Sequence, residues 1–249
     1  MACRIRASLL CFAFGTALLA ASIAGAAPLS TAPTLQFKLE STSSSYPYYA
    51  NPELIPSDAG PTYTAVGFGS FGTLGMSWDV VVDPDPLISG TLIITNLSAL
   101  TDTFTLTGTL PATPLPGPNV MGGYFGAITY TDSNSNSTVT LSTVGTNPFY
   151  QAMIDGLPVQ GLGSFSLNAF GGPGVFGTAS QQSFGAPIPN APAPAVGSSI
   201  GVALQFSLTA GDSVEIPFLF EVASVPEPST VLLIGVALAG IAAQRRSRR

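Results

Sequence analysis

Ile200-Gly201-Val202-Ala203-Leu204-Gln205-Phe206-Ser207-Leu208, followed after Thr209-Ala210-Gly211-Asp212-Ser213 by Val214-Glu215-Ile216-Pro217-Phe218-Leu219-Phe220-Glu221-Val222, is the stretch that decides the fold. In the first run Ile200, Val202, Leu204, Phe206 and Leu208 fall on every second position. In the second, Val214, Ile216, Phe218, Phe220 and Val222 answer them. A period of two belongs to a strand with one face buried, and β-branched and aromatic residues favour it. Thr209-Ala210-Gly211-Asp212 is short and contains glycine, which predicts a hairpin between the two runs. Pro217 has no N–H to give a ladder, so the second run is expected at a sheet edge with Glu215 and Glu221 facing water.

The same alternation recurs upstream. Leu35, Phe37 and Leu39 oppose Gln36, Lys38 and Glu40, and Trp78, Val80 and Val82 alternate with Asp79, Val81 and Asp83. Leu92 and Ile94, then Phe104, Leu106 and Leu110, then Val139 and Leu141, then Phe165 and Leu167 continue it. Between residues 27 and 224 no stretch carries a 3.6 period. At least eight strands with Gly, Pro, Asn and Ser between them predict an all-β fold, an antiparallel β-sandwich or jelly-roll-like domain over residues 27–224. Three connections are long: Ser41 to Pro61, Pro111 to Pro118, and Gly171 to Gly197. The last resembles a linker, but the strand signal beyond it is too short for a second domain, so it reads as a loop within one.

Charged residues make up 8% of the 249 residues, far below the quarter usual for soluble domains. From residue 27 to 224 there is one basic residue, Lys38, against twelve acids, a formal net charge of −11. Such a surface repels phosphate backbones and argues against nucleic acid as a partner. Histidine is absent, and both cysteines, Cys3 and Cys11, lie near the N-terminus.

Met1 to Ala26 reads as a signal peptide: Arg4 and Arg6, an apolar run from Leu9 to Ala21, then Ala24-Gly25-Ala26 before a cleavage expected between Ala26 and Ala27. The apolar run is short for a permanent span. Cys11 lacks the flanking pattern of a lipidation site and reads as part of the signal. Once that segment is removed, the chain has neither thiol nor disulfide.

Residues 225–249 contain Val225-Pro226-Glu227-Pro228-Ser229, an apolar run from Val231 to Ala243, and an end bearing Arg245, Arg246, Arg248 and Arg249. As a helix, residues 229–243 would span about 22 Å, and the first arginines could reach the interface by snorkelling. This predicts a single transmembrane helix with a cytoplasmic arginine anchor, which places everything between the two apolar segments outside.

This C-terminal segment resembles the PEP-CTERM sorting signal of Gram-negative bacteria, and the resemblance covers about a tenth of the chain. It implies export, transient retention in the inner membrane, recognition by an exosortase, and delivery to the cell surface or exopolysaccharide (biofilm) matrix. Val225, Pro226, Glu227, Pro228 and Ser229 would be the recognised residues, as substrate. The middle of the chain is similar to an uncharacterised group found with this tail, through Asn96-Leu97-Ser98, Asp102-Thr103-Phe104-Thr105-Leu106-Thr107, Met121-Gly122-Gly123, Tyr150 to Gly156, and Leu208 to Asp212. That second resemblance implies no activity.

The chemical candidates are few. Ser-His-Asp and Cys-His catalysis lack their residues, and a Ser-Lys pair would have to use Lys38, which alternation places on the polar face with Gln36 and Glu40. Asp79, Asp83 and Asp85 form the densest acidic group. Paired carboxylates can cleave glycosides, but Asp83-Pro84-Asp85-Pro86 reads as a solvated turn at a strand end. Asp132-Ser133-Asn134-Ser135-Asn136 spaces oxygens like the start of a Ca²⁺ loop, yet Ser137 replaces the glycine and Thr143 the closing glutamate, as suits a plain turn. Tyr46-Pro47-Tyr48-Tyr49 could stack on sugar rings or pack its own loop down. The expectation is therefore a non-catalytic exported protein without cofactor or metal, structural or adhesive in role. Its partners would be exosortase, the membrane through the C-terminal helix, and extracellular polysaccharide. The alternatives are a carbohydrate-binding module, with or without Ca²⁺, and a polysaccharide hydrolase.

Overall fold

The structure, a computed structural model, describes residues 32–58, 61–185 and 188–225. The signal peptide with Ala26 and Ala27, the motif residues Pro226, Glu227, Pro228 and Ser229, the transmembrane run and Arg245, Arg246, Arg248 and Arg249 lie outside them. Among the described residues, no helix is long and apolar enough to cross a membrane.

The described chain is all-β. In order, the strands are β1 (Gln36–Ser41), β2 (Tyr48–Ala50), β3 (Ile55–Pro56), β4 (Tyr63–Phe71), β5 (Leu74–Asp83), β6 (Leu87–Asn96), β7 (Asp102–Pro111), β8 (Asn119–Phe125) and β9 (Ile128–Thr131). There follow β10 (Thr138–Ser142), β11 (Tyr150–Ile154), β12 (Leu157–Leu162), β13 (Ser166–Phe170), β14 (Phe176–Ala179), β15 (Gln182–Phe184), β16 (Ala191–Ala193), β17 (Ser199–Leu208) and β18 (Ser213–Ser224). All pairings are antiparallel. One sheet runs β12-β11-β17-β7-β1-β2, with β10 also on β17 and β13 on β10. The other runs β14-β9-β18-β6-β5-β4-β3, with β8 also on β18 and β15 and β16 on β8.

The alternating residues of both long runs meet in one core. Ile200, Leu204, Phe206 and Leu208 from β17 and Val214, Ile216, Phe218 and Phe220 from β18 are all buried there. Phe125, Phe149, Tyr150, Phe165 and Phe206 add a ring cluster, with Phe125 and Phe149 edge to face at 5.3 Å between centroids. Aromatic pairs at this separation and tilt add stabilisation beyond the area they bury.

Two expectations about the opening stretch need correction. β17 and β18 do not form a hairpin: β17 pairs with β7, β11 and β10, while β18 pairs with β6, β8 and β9. Thr209 to Asp212 is an arch that carries the chain from one sheet to the other. Gly211, at φ 71°, supplies the left-handed turn that this arch requires. Nor is β18 an edge. It has β6 on one side and β9 then β8 on the other, and Pro217 falls at the joint between those two. The Pro217 carbonyl accepts the Gly126 N–H at 2.7 Å. A strand residue directs its N and O to the same side, so the missing N–H faces the β8–β9 joint, where the ladder is already interrupted.

The long connections also hold short strands. β2 and β3 lie within residues 41–61, and β14, β15 and β16 within 171–197, where they pair with β9 and β8.

Candidate functional site

One end of the molecule is built by two arches side by side. β6 passes to β7 through residues 97–101, next to the β17–β18 arch. Asn96, fully buried, ties them together. Its N–H donates to the Asp212 carbonyl at 2.9 Å, and its carbonyl accepts the Gly211 N–H at 2.8 Å. Its side-chain amide donates to the carbonyls of Leu100 and Leu208 at 2.9 Å and of Thr209 at 3.1 Å.

The buried carboxylates at this end hold loops. Asp102 accepts the Thr42 and Ser43 hydroxyls and the Ser43 and Thr103 N–H groups. Burial acts to raise its pKa, but the Ser43 and Thr42 hydroxyls and the Thr103 N–H outweigh it and hold the carboxyl below its ordinary value. Asp132 accepts the N–H groups of Asn136, Ser137 and Gly174. Asp212 takes the Thr209 hydroxyl. Burial, with the neighbouring Asp132 carboxylate, pushes the Asp212 pKa up despite that bond. A shallow hollow of about 350 Å³ lies between Thr42, Ser43 and residues 98–102. Its walls are mostly apolar, with Asp102 turned into its own hydrogen bonds.

At the opposite end, Asp155 and Gly156 make the two-residue turn between β11 and β12, both at positive φ (51° and 76°). This is the form that matches strand twist. The Asp155 carboxylate accepts the N–H groups of Gly197, Ser198 and Ser199. The Ser198 N–H foremost, then those of Gly197 and Ser199, holds its pKa down.

The candidates read from sequence fall as follows. Lys38 lies on the outer side of β1, its Nζ 2.8 Å from Glu40, and its ion pair is with that carboxylate and not with a serine among the described residues. Asp79 is exposed on the outer face of β5. Asp83 turns onto the Asp85 N–H at 2.9 Å and holds the β5–β6 turn. In the Asp132–Asn136 run, Asn134 accepts the Asn136 N–H and Asn136 the Thr138 N–H, so the side-chain oxygens organise a turn. Among the described residues, no cluster of three or more acidic, His or Cys side chains is placed to hold a metal. The tyrosines divide: Tyr46 and Tyr49 are exposed, while Tyr48 packs against Phe71.

One surface went unread in the sequence. On β4, Val66 and Phe68 are 75% and 88% exposed, while Gly67 and Gly69 point inward, where the Trp78 and Phe71 rings fill the space. Alternation is present in Val66-Gly67-Phe68-Gly69, but inverted, with the large residues outside. Phe68 stands opposite Ser77, which stands opposite the exposed Ile93 on β6.

β18 runs to Ser224, and the Val225 N–H donates to the Pro118 carbonyl at 3.0 Å. The last described strand thus ends two residues before Pro226. Residues 224–249 match the PEP-CTERM protein-sorting motif. The motif implies export, membrane-associated sorting to the cell surface and processing by exosortase. Among proteins of curated function, none matches the chain.

Proposed function

From the sorting motif at residues 224–249, we propose that the two-sheet domain is a non-catalytic cargo, carried to the cell surface or matrix for a structural or adhesive role. The observation that carries this reading is the use made of its acids. Asp102, Asp132, Asp155 and Asp212 are each bonded to neighbouring N–H or hydroxyl groups and fix loops. Asp83 does the same for its turn, and the domain has neither histidine nor cysteine from residue 27 to 224. General acid–base catalysis needs a carboxyl free to reach a substrate proton; Asp83, Asp102, Asp132 and Asp155 are committed elsewhere, and the Asp212 carboxyl is shut inside the fold. The N-terminal segment and the motif act as handles, with exosortase recognising Val225 to Ser229 and the arginines keeping the C-terminal anchor inside.

The test is a comparison of cells with and without the protein for surface attachment and matrix cohesion, alongside a reducing-sugar assay on purified matrix polysaccharide. Loss of cohesion without sugar release supports the proposal. Sugar release that disappears in Asp83→Asn overturns it.

The exposure of Tyr46 and Tyr49 favours a second reading, a carbohydrate-binding module. Apolar ring faces with polar tips suit stacking on sugars. Retention on matrix polysaccharide that is lost in the Tyr46→Ala/Tyr49→Ala double variant would select it over a purely structural role.

A further inference from the structure

We infer that β4 is a self-association edge, taking the β4 strand of a second copy of this chain in antiparallel register. β3 covers β4 only at Tyr63 and Thr64, so on the side away from β5 residues 65–71 have no strand partner among the described residues. Folded proteins usually protect such an edge with a charge, a proline, a bulge or a short strand. Ala65-Val66-Gly67-Phe68-Gly69-Ser70-Phe71 contains neither charge nor proline, and its pairing with β5 runs from Tyr63↔Val82 to Phe71↔Leu74 without a register shift. The other edge strands among the described residues are shorter or blunted: β2 and β3 have three and two residues, β13 and β14 five and four, β15 and β16 three each, and β12 contains Pro158 and lies beside a register shift.

Charge selects the occupant. With one lysine against twelve acids between residues 27 and 224, two copies repel over most of their surface and can meet closely only where acids are missing. Residues 59–78 carry no charge and include the whole of β4. The nearest acid on this face is Asp79, opposite Val66 on β5. Joining two β4 strands would leave the two Asp79 carboxylates three strand spacings apart, about 14 Å, beyond the screening length of about 8 Å in physiological salt. Antiparallel pairing is the two-fold symmetric arrangement for identical edges. If Gly67 meets its own counterpart, Val66 of one copy lies beside Phe68 of the other on the same face, twice over, which is a favourable β-branched–aromatic pairing.

The topology adds a direction, and this part rests on the anchored-cargo reading. Each step from β18 through β6 and β5 to β4 is antiparallel, so β4 runs opposite to β18, whose end leads into the motif. Antiparallel β4 strands therefore send the two tails out at opposite ends. Copies in one membrane cannot pair this way, whereas copies on facing surfaces, or released copies, can.

The test is light scattering on the exported protein at about 50 μM, a concentration suited to a small edge interface of the weak, transient class. The wild type should show twice the chain mass, and Val66→Lys and Phe68→Lys should each show one. Both replace exposed side chains, so their melting temperatures should match the wild type. Leu157→Lys, on the exposed β12, should remain double. A single chain mass for the wild type, or a Phe68→Lys protein that remains double, overturns the inference. Vesicles bearing the full-length chain should aggregate with wild type and not with Phe68→Lys. Aggregation that persists in Phe68→Lys would reject β4 as the tether. A dimer in solution with no vesicle aggregation would reject the anchored-cargo orientation and leave the pairing intact.

Discussion

The Tyr150 hydroxyl crosses the core from one sheet and donates to the Leu219 backbone carbonyl of the other at 2.8 Å. Tyr150 is fully buried, and burial drives its pKa far up, so it stays a neutral donor across the ordinary pH range. Removing the hydroxyl in Tyr150→Phe leaves that carbonyl without this partner inside the core, at a cost of about 1–2 kcal/mol. For a domain of this size, each kcal/mol lowers the melting temperature by roughly 2–4 °C. Thermal denaturation followed by circular dichroism checks this, and an unchanged midpoint would show that the bond contributes nothing net.

Asn96 is the second cross-tie. Asn96→Ala leaves the carbonyls of Leu100, Leu208 and Thr209 without their shared donor, and about 2–4 kcal/mol of destabilisation is expected from unpaired buried acceptors. Asn96→Asp, of nearly the same shape, sets a carboxylate against those carbonyls and should be worse at pH 7 than the alanine variant. Urea denaturation of both proteins provides the comparison. An aspartate variant more stable than the alanine one would mean the amide is not acting as the donor.

The pH dependence has two limbs. Asp102 and Asp155 are held below the ordinary carboxyl value of 3.8, so their contribution is present above 3.8 and is lost as pH falls through their lowered values. Asp212 is held above it. Its protonated form suits the folded chain, so its contribution is full below 3.8 and lost as pH rises through its raised value. Melting temperatures measured from pH 3 to 8 should therefore show an acid limb that persists in Asp212→Asn and an upper limb that flattens in it. An Asp212→Asn curve parallel to the wild type throughout would contradict this assignment.

Much of the architecture was legible because period-two alternation reports burial directly. The runs at Leu35–Leu39, Trp78–Val82, Phe104–Leu110, Ile200–Leu208 and Val214–Val222 all supply core residues. What failed depended on neighbours that one strand cannot reveal. A short connector containing Gly211 has the same composition whether it turns within a sheet or arches between two, and its partner, Asn96, lies more than a hundred residues away in sequence. Pro217 indicated an edge only on the assumption of a continuous neighbouring ladder, and Gly126 breaks that ladder where the proline sits. β4 escaped notice because its glycines face inward to receive Trp78 and Phe71, so the large residues lie on the side where small polar ones are expected. The loop acids were visible as residues, but not as caps, since Asp155 reaches Gly197 to Ser199 only through the folded topology.

The central claim is that a folded, non-catalytic cargo, whose last strand ends at Ser224, runs directly into a sorting handle that is processed during export. Intact-mass measurement of the protein recovered outside the cell tests this most directly. The account predicts a chain that begins near Ala27 and ends near Pro226-Glu227-Pro228, with Pro226-Glu227-Pro228→Ala-Ala-Ala abolishing that product. Full-length protein recovered outside the cell with Arg249 still attached would contradict it.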